Sequence, residues 1–297
     1  MLLNKTIPLK YIFNKVKYDL AYVLILSLLV LLLTGRYQQL LPEMPLTIPA
    51  FIGTAISILL SFKLSQSYDR WWEARKIWGS IVNDSRSFVI QLNTLLAKDH
   101  EGTIKKMALR QVAWCYSLGQ SLRGLNPLDN IGHLISPEEM DTISKHNNKP
   151  LALLYLHGKD LQRLRAGDQL EPLSQVQLDN TLVRLCDAQG RSERIKTTVF
   201  PVTYRLFLHC IVYLFIVTLS IALKDIDGYF EIPLLLLIAS AFFLLEKSAT
   251  HMQDPFENRP TDTAVTAIAR TIEINTRQLL QDPEVPAPLQ PSNFYLL

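Results

Sequence analysis

Apolar positions in this chain gather into long uncharged runs rather than alternating or thin amphipathic stripes. Four windows carry no Asp, Glu, Lys or Arg: Leu20–Gly35 (LAYVLILSLLVLLLTG), Pro45–Phe62 (PLTIPAFIGTAISILLSF), Leu206–Leu223 and Ile232–Leu245. A helix needs about 20 apolar residues to cross a bilayer core, with about 17 as the lower limit. The second and third windows meet that limit, and the first and fourth reach it with flanking Tyr37, Tyr229 and Phe230. Four such runs disfavour a soluble protein with buried core helices. The spacing predicts membrane helices over residues 19–36, 45–66, 203–223 and 229–247.

Between and after these spans the pattern is helical and polar. No alternating strand run is present, and SPEEMDTI opens with a capping box, Ser136 followed by Glu139. Pro172 in EPLSQVQLDNTLVRL occupies a helix-start position. The predicted soluble helical part covers residues 67–200 and 248–281, and the proline-rich 282–297 reads as an extended tail. No internal repeat is found, so the chain reads as one unit of the all-α class: a polytopic membrane protein with a large cytosolic helical portion.

Lys and Arg near the span ends set the orientation. Lys5, Lys10, Lys15 and Lys17 precede the first span, and Lys63, Arg70, Arg75 and Lys76 follow the second. The first connecting loop holds Arg36, and the turn KDIDGYFE sets Lys224 against Asp225, Asp227 and Glu231. Both termini are therefore expected in the cytoplasm. Composition adds a few exclusions. The mean hydropathy of +0.14 lies between soluble and wholly membrane-embedded chains. A net charge of +3 over 297 residues gives no basic face for nucleic acid. Cys115, Cys186 and Cys210 have neither disulfide-framework nor metal-ligand spacing, which fits a reducing compartment. No small-residue cleavage site follows the first apolar run, so no signal peptide is expected.

The second span has more pattern than an anchor needs. Gly53, Ser57, Ser61 and Ser65 form a small-residue ridge, and Thr54, Ile58 and Phe62 form another, about 60° away on the helix. In a ring of identical helices one ridge packs against neighbours while the other faces the axis, where Ile and Phe make an apolar constriction that gates by dewetting. The same ridges also suit a compact four-helix bundle, and pattern alone leaves both open. After this span comes SYDRWWEARKIWG, residues 67–79. Trp71 and Trp72 suit the membrane interface, and in a continuous helix they face Arg75 and Lys76 one turn on, at cation–π spacing. Trp78 is a third aromatic in the same stretch.

SYDRWWEARKIWGSIVNDSRSF (67–88) resembles the signature of the bacterial bestrophin-like membrane proteins, and DPFENRPTDTAVTAIARTIEINTRQLL (254–280) resembles their C-terminal segment. Animal bestrophins share the RWW and PF that open these stretches. The resemblance runs from about residue 5 to 281 and implies a homopentameric ion channel with its pore on the five-fold axis. By that resemblance the second span lines a hydrophobic neck, and alignment on Arg70-Trp71-Trp72 puts the neck positions at Thr54, Ile58 and Phe62. Thr54 departs from the apolar side chain usual there, which implies a wider or wetter outer end. A second, cytosolic constriction falls on Leu173 when aligned on Pro201, with Val176 as the alternative register.

Animal members follow Pro-Phe-Gly with an acidic run that helps clasp calcium, and calcium wants six to eight oxygens. Here Pro255-Phe256 is followed by Glu257-Asn258-Arg259-Pro260-Thr261-Asp262, with the glycine gone and an arginine inside the run. Asp254, Glu257 and Asp262 then read as turn and helix-cap groups, and no metal or other cofactor is expected. The resemblance to the bacterial branch implies monovalent cations, sodium or potassium, in an inner-membrane channel; the alternative is a chloride or other anion channel of the same fold. A membrane-anchored scaffold, with the cytosolic helices as its partner-binding part, is the third reading. For the channel the expected partners are monovalent ions, the lipid bilayer and further copies of the chain, with no nucleic acid. An enzyme is not expected. The six histidines show no close pair at metal spacing, no phosphate-cradling loop appears among 11 glycines, and His209 is the single intramembrane candidate.

Overall fold

The structure is a computed structural model and describes residues 1–2, 7–37, 44–97, 100–198, 201–224 and 228–296. Among the described residues the regular elements are all helices: α1 (Leu9–Arg36), α2 (Thr47–Leu95), α3 (Glu101–Leu122), α4 (Pro137–Ser144), α5 (Lys149–Ala166), α6 (Pro172–Thr197), α7 (Val202–Ala222), α8 (Gly228–Gln253) and α9 (Val265–Leu279). Two compact units result. An apolar unit comprises Lys5–Arg70 and Val199–Gln253; a polar unit comprises Met1–Asn4, Trp71–Thr198 and Asp254–Leu297. Helix α2 contributes to both, since nothing in its sequence stops it at the end of its apolar window. Its 49 residues extend over about 74 Å.

In the apolar unit, α1, α2, α7 and α8 are each long and apolar enough to cross a membrane. Val23, Ile56, Phe215, Ile216, Ala239 and Phe243 form its interior. Most of the remaining apolar surface points outward, including Leu32, Phe51 and Leu237, as expected of helices whose outer solvent is lipid. Gly53 lies against α7 in its own chain. A Cβ there would come within 3.1 Å of the Phe215 ring, so this member of the small-residue ridge serves packing inside the protomer, while Ser57, Ser61 and Ser65 stay exposed.

The polar unit is built on α3, which ends in a Schellman motif: Leu125 N–H donates to the Gln120 carbonyl and Gly124 N–H to that of Ser121. Gly124 supplies the left-handed conformation at φ +70°. The capping box forms as the sequence predicts: the Ser136 hydroxyl accepts from Glu139 N–H at 3.3 Å, and Glu139 Oε2 accepts from Ser136 N–H at 3.4 Å. Pro172 opens α6. Trp78 and Trp114 are fully buried in the core, the latter donating its indole N–H to Gln189 Oε1 at 3.1 Å. Trp78 is therefore a core residue and not a third interfacial aromatic.

His157 on α5 is also fully buried, edge-on to Phe88 with ring centroids 4.9 Å apart. Burial first, and the nearby Arg110 charge second, hold its pKa well below the ordinary value. In the unfolded chain a histidine titrates near pH 6.5. As pH falls below that value the unfolded state takes up a proton that the folded state refuses. Stability then drops by up to about 1.4 kcal/mol per pH unit, until the folded-state pKa is reached. His157→Leu is expected to flatten the acid side of the stability curve in urea unfolding; an unchanged slope would assign that dependence to other groups.

Candidate functional site

Within α2 the apolar unit divides the helix lengthwise. Ile56, Leu60 and Lys63 face inward and are buried. Thr54, Ser57, Ile58, Ser61, Phe62 and Ser65 face out of the protomer. Ile58 is 54% and Phe62 63% exposed. The three neck candidates from the sequence, Thr54, Ile58 and Phe62, thus share one exposed stripe, one turn apart. Thr54 Oγ1 donates to the Ala50 carbonyl at 2.9 Å, and Ser57 Oγ to that of Gly53 at 2.8 Å. Each hydroxyl proton is taken up by the helix backbone, so these polar side chains need no donor-accepting partner elsewhere.

Directly behind the stripe is an ionic cluster that reading by spans did not anticipate. Lys63 Nζ lies 2.6 Å from Glu246 Oε1 on α8, with both side chains essentially inaccessible to solvent. The ammonium also donates to Thr250 Oγ1 at 2.9 Å, and that hydroxyl donates to the same carboxylate oxygen at 2.9 Å. On α7, His209 Nε2 stands 3.3 Å from the other oxygen, Glu246 Oε2, and its ring meets Phe243 edge-on at 5.9 Å. Lys247 pairs with Asp19 of α1 at 3.2 Å. Ionisable groups inside apolar helices are expensive unless paired. Here they tie α2, α7 and α8 together at the residue next to Phe62. Lys63, the first charge after the uncharged window Pro45–Phe62, is its signal in the sequence, where it marks only the orientation of the span.

The RWW stretch has a structural task at each position. Arg70 Nε donates to the Gln253 carbonyl at 2.8 Å, holding the last residue of α8. Trp71 Nε1 donates to the Thr261 carbonyl at 3.1 Å, and its ring stacks on Trp72 at 6.3 Å. Lys76 pairs with Glu73 at 2.6 Å. The turn that Trp71 holds is closed by Asp262, whose Oδ2 accepts from the N–H groups of Glu257 (2.6 Å) and Arg259 (3.0 Å). Burial raises the Asp262 pKa above its ordinary value. Glu257 reaches Lys196 at 2.6 Å. One carboxylate of the three is committed to backbone donors and another to a lysine, and Arg259 stands between them. That donor set does not suit a calcium ion, which needs several free carboxylate oxygens. Among the described residues no group of three or more His, Cys, Asp or Glu side chains is close enough to hold a metal.

Leu173 is the second residue of α6 in the polar unit and is 73% exposed; Val176, one turn on, is 56% exposed on the same face. Both residues that the sequence suggests for a second constriction thus lie on the surface of the protomer.

Residues 7–278 match the family model described as "Bacterial/Fungal Bestrophin protein". A relative from Escherichia coli strain K12, named "Voltage-dependent anion channel-forming protein YneE", is 29% identical over 287 residues, covering 96% of this chain and 93% of its own length. A second, from Ralstonia nicotianae and named "Voltage-dependent anion channel-forming protein RSc3414", is 28% identical and covers 80% of this chain and 78% of its own. The crystal structure of a bacterial bestrophin homolog from Klebsiella pneumoniae superposes with a TM-score of 0.83 at 28% identity, over 90% of this chain and 98% of the homolog.

Proposed function

The chain belongs to the bacterial and fungal bestrophin family, and on that premise we propose that it is an inner-membrane ion channel, a ring of five copies around a neck formed by α2. Thr54, Ile58 and Phe62 line that neck and Leu173 forms a second constriction on the cytosolic side, with both chain termini in the cytoplasm. The observation that carries the reading is the exposure of Ile58 and Phe62 on one stripe of a helix whose opposite face is buried and pinned by Lys63. Bulky apolar side chains on an axis make a constriction that water leaves readily, so modest widening opens it and tightening closes it.

The sign of the ion is carried by other groups, because Ile and Phe have no charge to offer. The sequence resemblance implies monovalent cations, whereas the bacterial relatives carry names that specify anions. Those names support the anion alternative, which becomes the reading to test. Purified protein in planar bilayers under a salt gradient is expected to give a reversal potential near the chloride equilibrium value. Phe62→Ala run alongside is expected to raise single-channel conductance several-fold by widening the neck. A potential near the cation value would keep the channel and restore the cation reading. No current from a well-folded ring would remove the channel reading and favour a scaffold.

A further inference from the structure

Helix α1 is longer than its task of crossing a membrane requires. Its 28 residues extend about 42 Å, against about 30 Å of hydrocarbon in a bilayer. The uncharged window begins at Leu20, so the excess lies at the start of the helix, in LKYIFNKVKY, residues 9–18. This decade presents two faces. Val16 is buried at 2% exposure, while Leu9 (81%), Phe13 (59%) and Tyr18 (71%) stand clear of the protomer. Lys10, Phe13, Asn14 and Lys17 recur at the spacing of a single helix face.

Charge on this segment is one-sided. No Asp or Glu occurs before Asp19, and Asp19 is paired with Lys247. Two of the lysines are held beside aromatic rings: Lys17 Nζ is 5.0 Å from the Tyr18 ring centroid and Lys15 Nζ 4.9 Å from that of Tyr11, while Lys10 is exposed. An apolar ring that enters the acyl boundary, with an ammonium beside it at headgroup depth, is complementary to an anionic lipid surface. Arg205, exposed in the first turn of α7, adds a further cation in the same apolar unit.

We infer that residues 9–18 of α1 form a docking surface for anionic phospholipid headgroups, with Lys10 and Lys17 as the cationic contacts and Leu9 and Phe13 as the apolar insertions. This surface does not depend on what the neck conducts.

The full chain would be placed in nanodiscs of phosphatidylcholine, alone or mixed with phosphatidylglycerol, and the lipids it retains counted by native mass spectrometry. Phosphatidylglycerol is expected to be retained in preference, and the preference to fall as salt is raised. Lys10→Gln with Lys17→Gln is expected to weaken that retention about fivefold for each lysine removed. The thermal midpoint in phosphatidylcholine should not move. Lys145→Gln, an exposed lysine in the polar unit, should leave retention unchanged. Equal phosphatidylglycerol retention by the double variant and the original chain would overturn the inference. So would displacement of the lipid by inorganic phosphate at matched concentration, which would mark a phosphate site and not a lipid surface. If the glutamine pair fails to fold, Lys10→Arg with Lys17→Arg must keep the preference and its salt dependence.

Discussion

Lys63→Met is expected to destabilise the protein by about 3–5 kcal/mol, because it leaves the buried Glu246 carboxylate without its ammonium. Thr250 and His209 remain beside the carboxylate, but neither supplies a permanent positive charge. Lys63→Met combined with Glu246→Leu removes both charges and both desolvation penalties, and most of the loss is expected to return. A double-mutant cycle in denaturant unfolding of the detergent-solubilised protein measures the coupling directly. If the pair of substitutions is no better tolerated than the worse single one, the ion pair is not the unit that matters there. The functional consequence follows from position. Phe62 precedes Lys63, so a helix released from α8 is free to rotate, and the face that Ile58 and Phe62 present rotates with it.

Arg110 is the corresponding element of the polar unit and should show the second large effect. Its guanidinium bonds both Glu139 of α4 and Asp160 of α5, the latter at 2.6 Å, with the arginine itself almost inaccessible. Glu139 is also the reciprocal member of the capping box that starts α4. Arg110→Met strands two largely buried carboxylates and is expected to cost about 3–5 kcal/mol in urea unfolding. Lys106, 3.3 Å from Glu139 and 3.6 Å from Asp160, offers partial compensation from the half-exposed side. Arg110→Lys is expected to fall between the two, since an ammonium is a point charge and cannot span both carboxylates as a planar fork does. A loss below about 1 kcal/mol for the methionine variant would mean that the carboxylates are held without the guanidinium.

These two clusters mark where the sequence stops being readable. The four spans follow from counting uncharged residues along one dimension, because a bilayer imposes its thickness on each helix separately. Ser136 with Glu139, and Pro172, announce helix starts because the groups they satisfy lie within one turn. That Thr54, Ile58 and Phe62 share one stripe is equally a matter of helical spacing, whereas the exposure of that stripe is shown only by the packing of the other helices. What each charged residue answers to is another matter. Lys63 and Glu246 stand 183 positions apart, so only the packing of α2 on α8 makes them a pair, and Lys63 read alone was an orientation marker. Trp78 sits seven residues beyond Trp71 in the same helix, yet it is fully interior, because α3 and α9 close over it. Asp262 reads in sequence as a turn or helix-cap group, and it does close a turn, but only the fold shows that Trp71 holds that turn. Short-range pattern thus determined the four apolar spans and two of the helix starts, but not where α1 begins or where α2 and α8 end. The tertiary structure alone decided which buried charges meet, because that depends on helix contacts between residues distant along the chain.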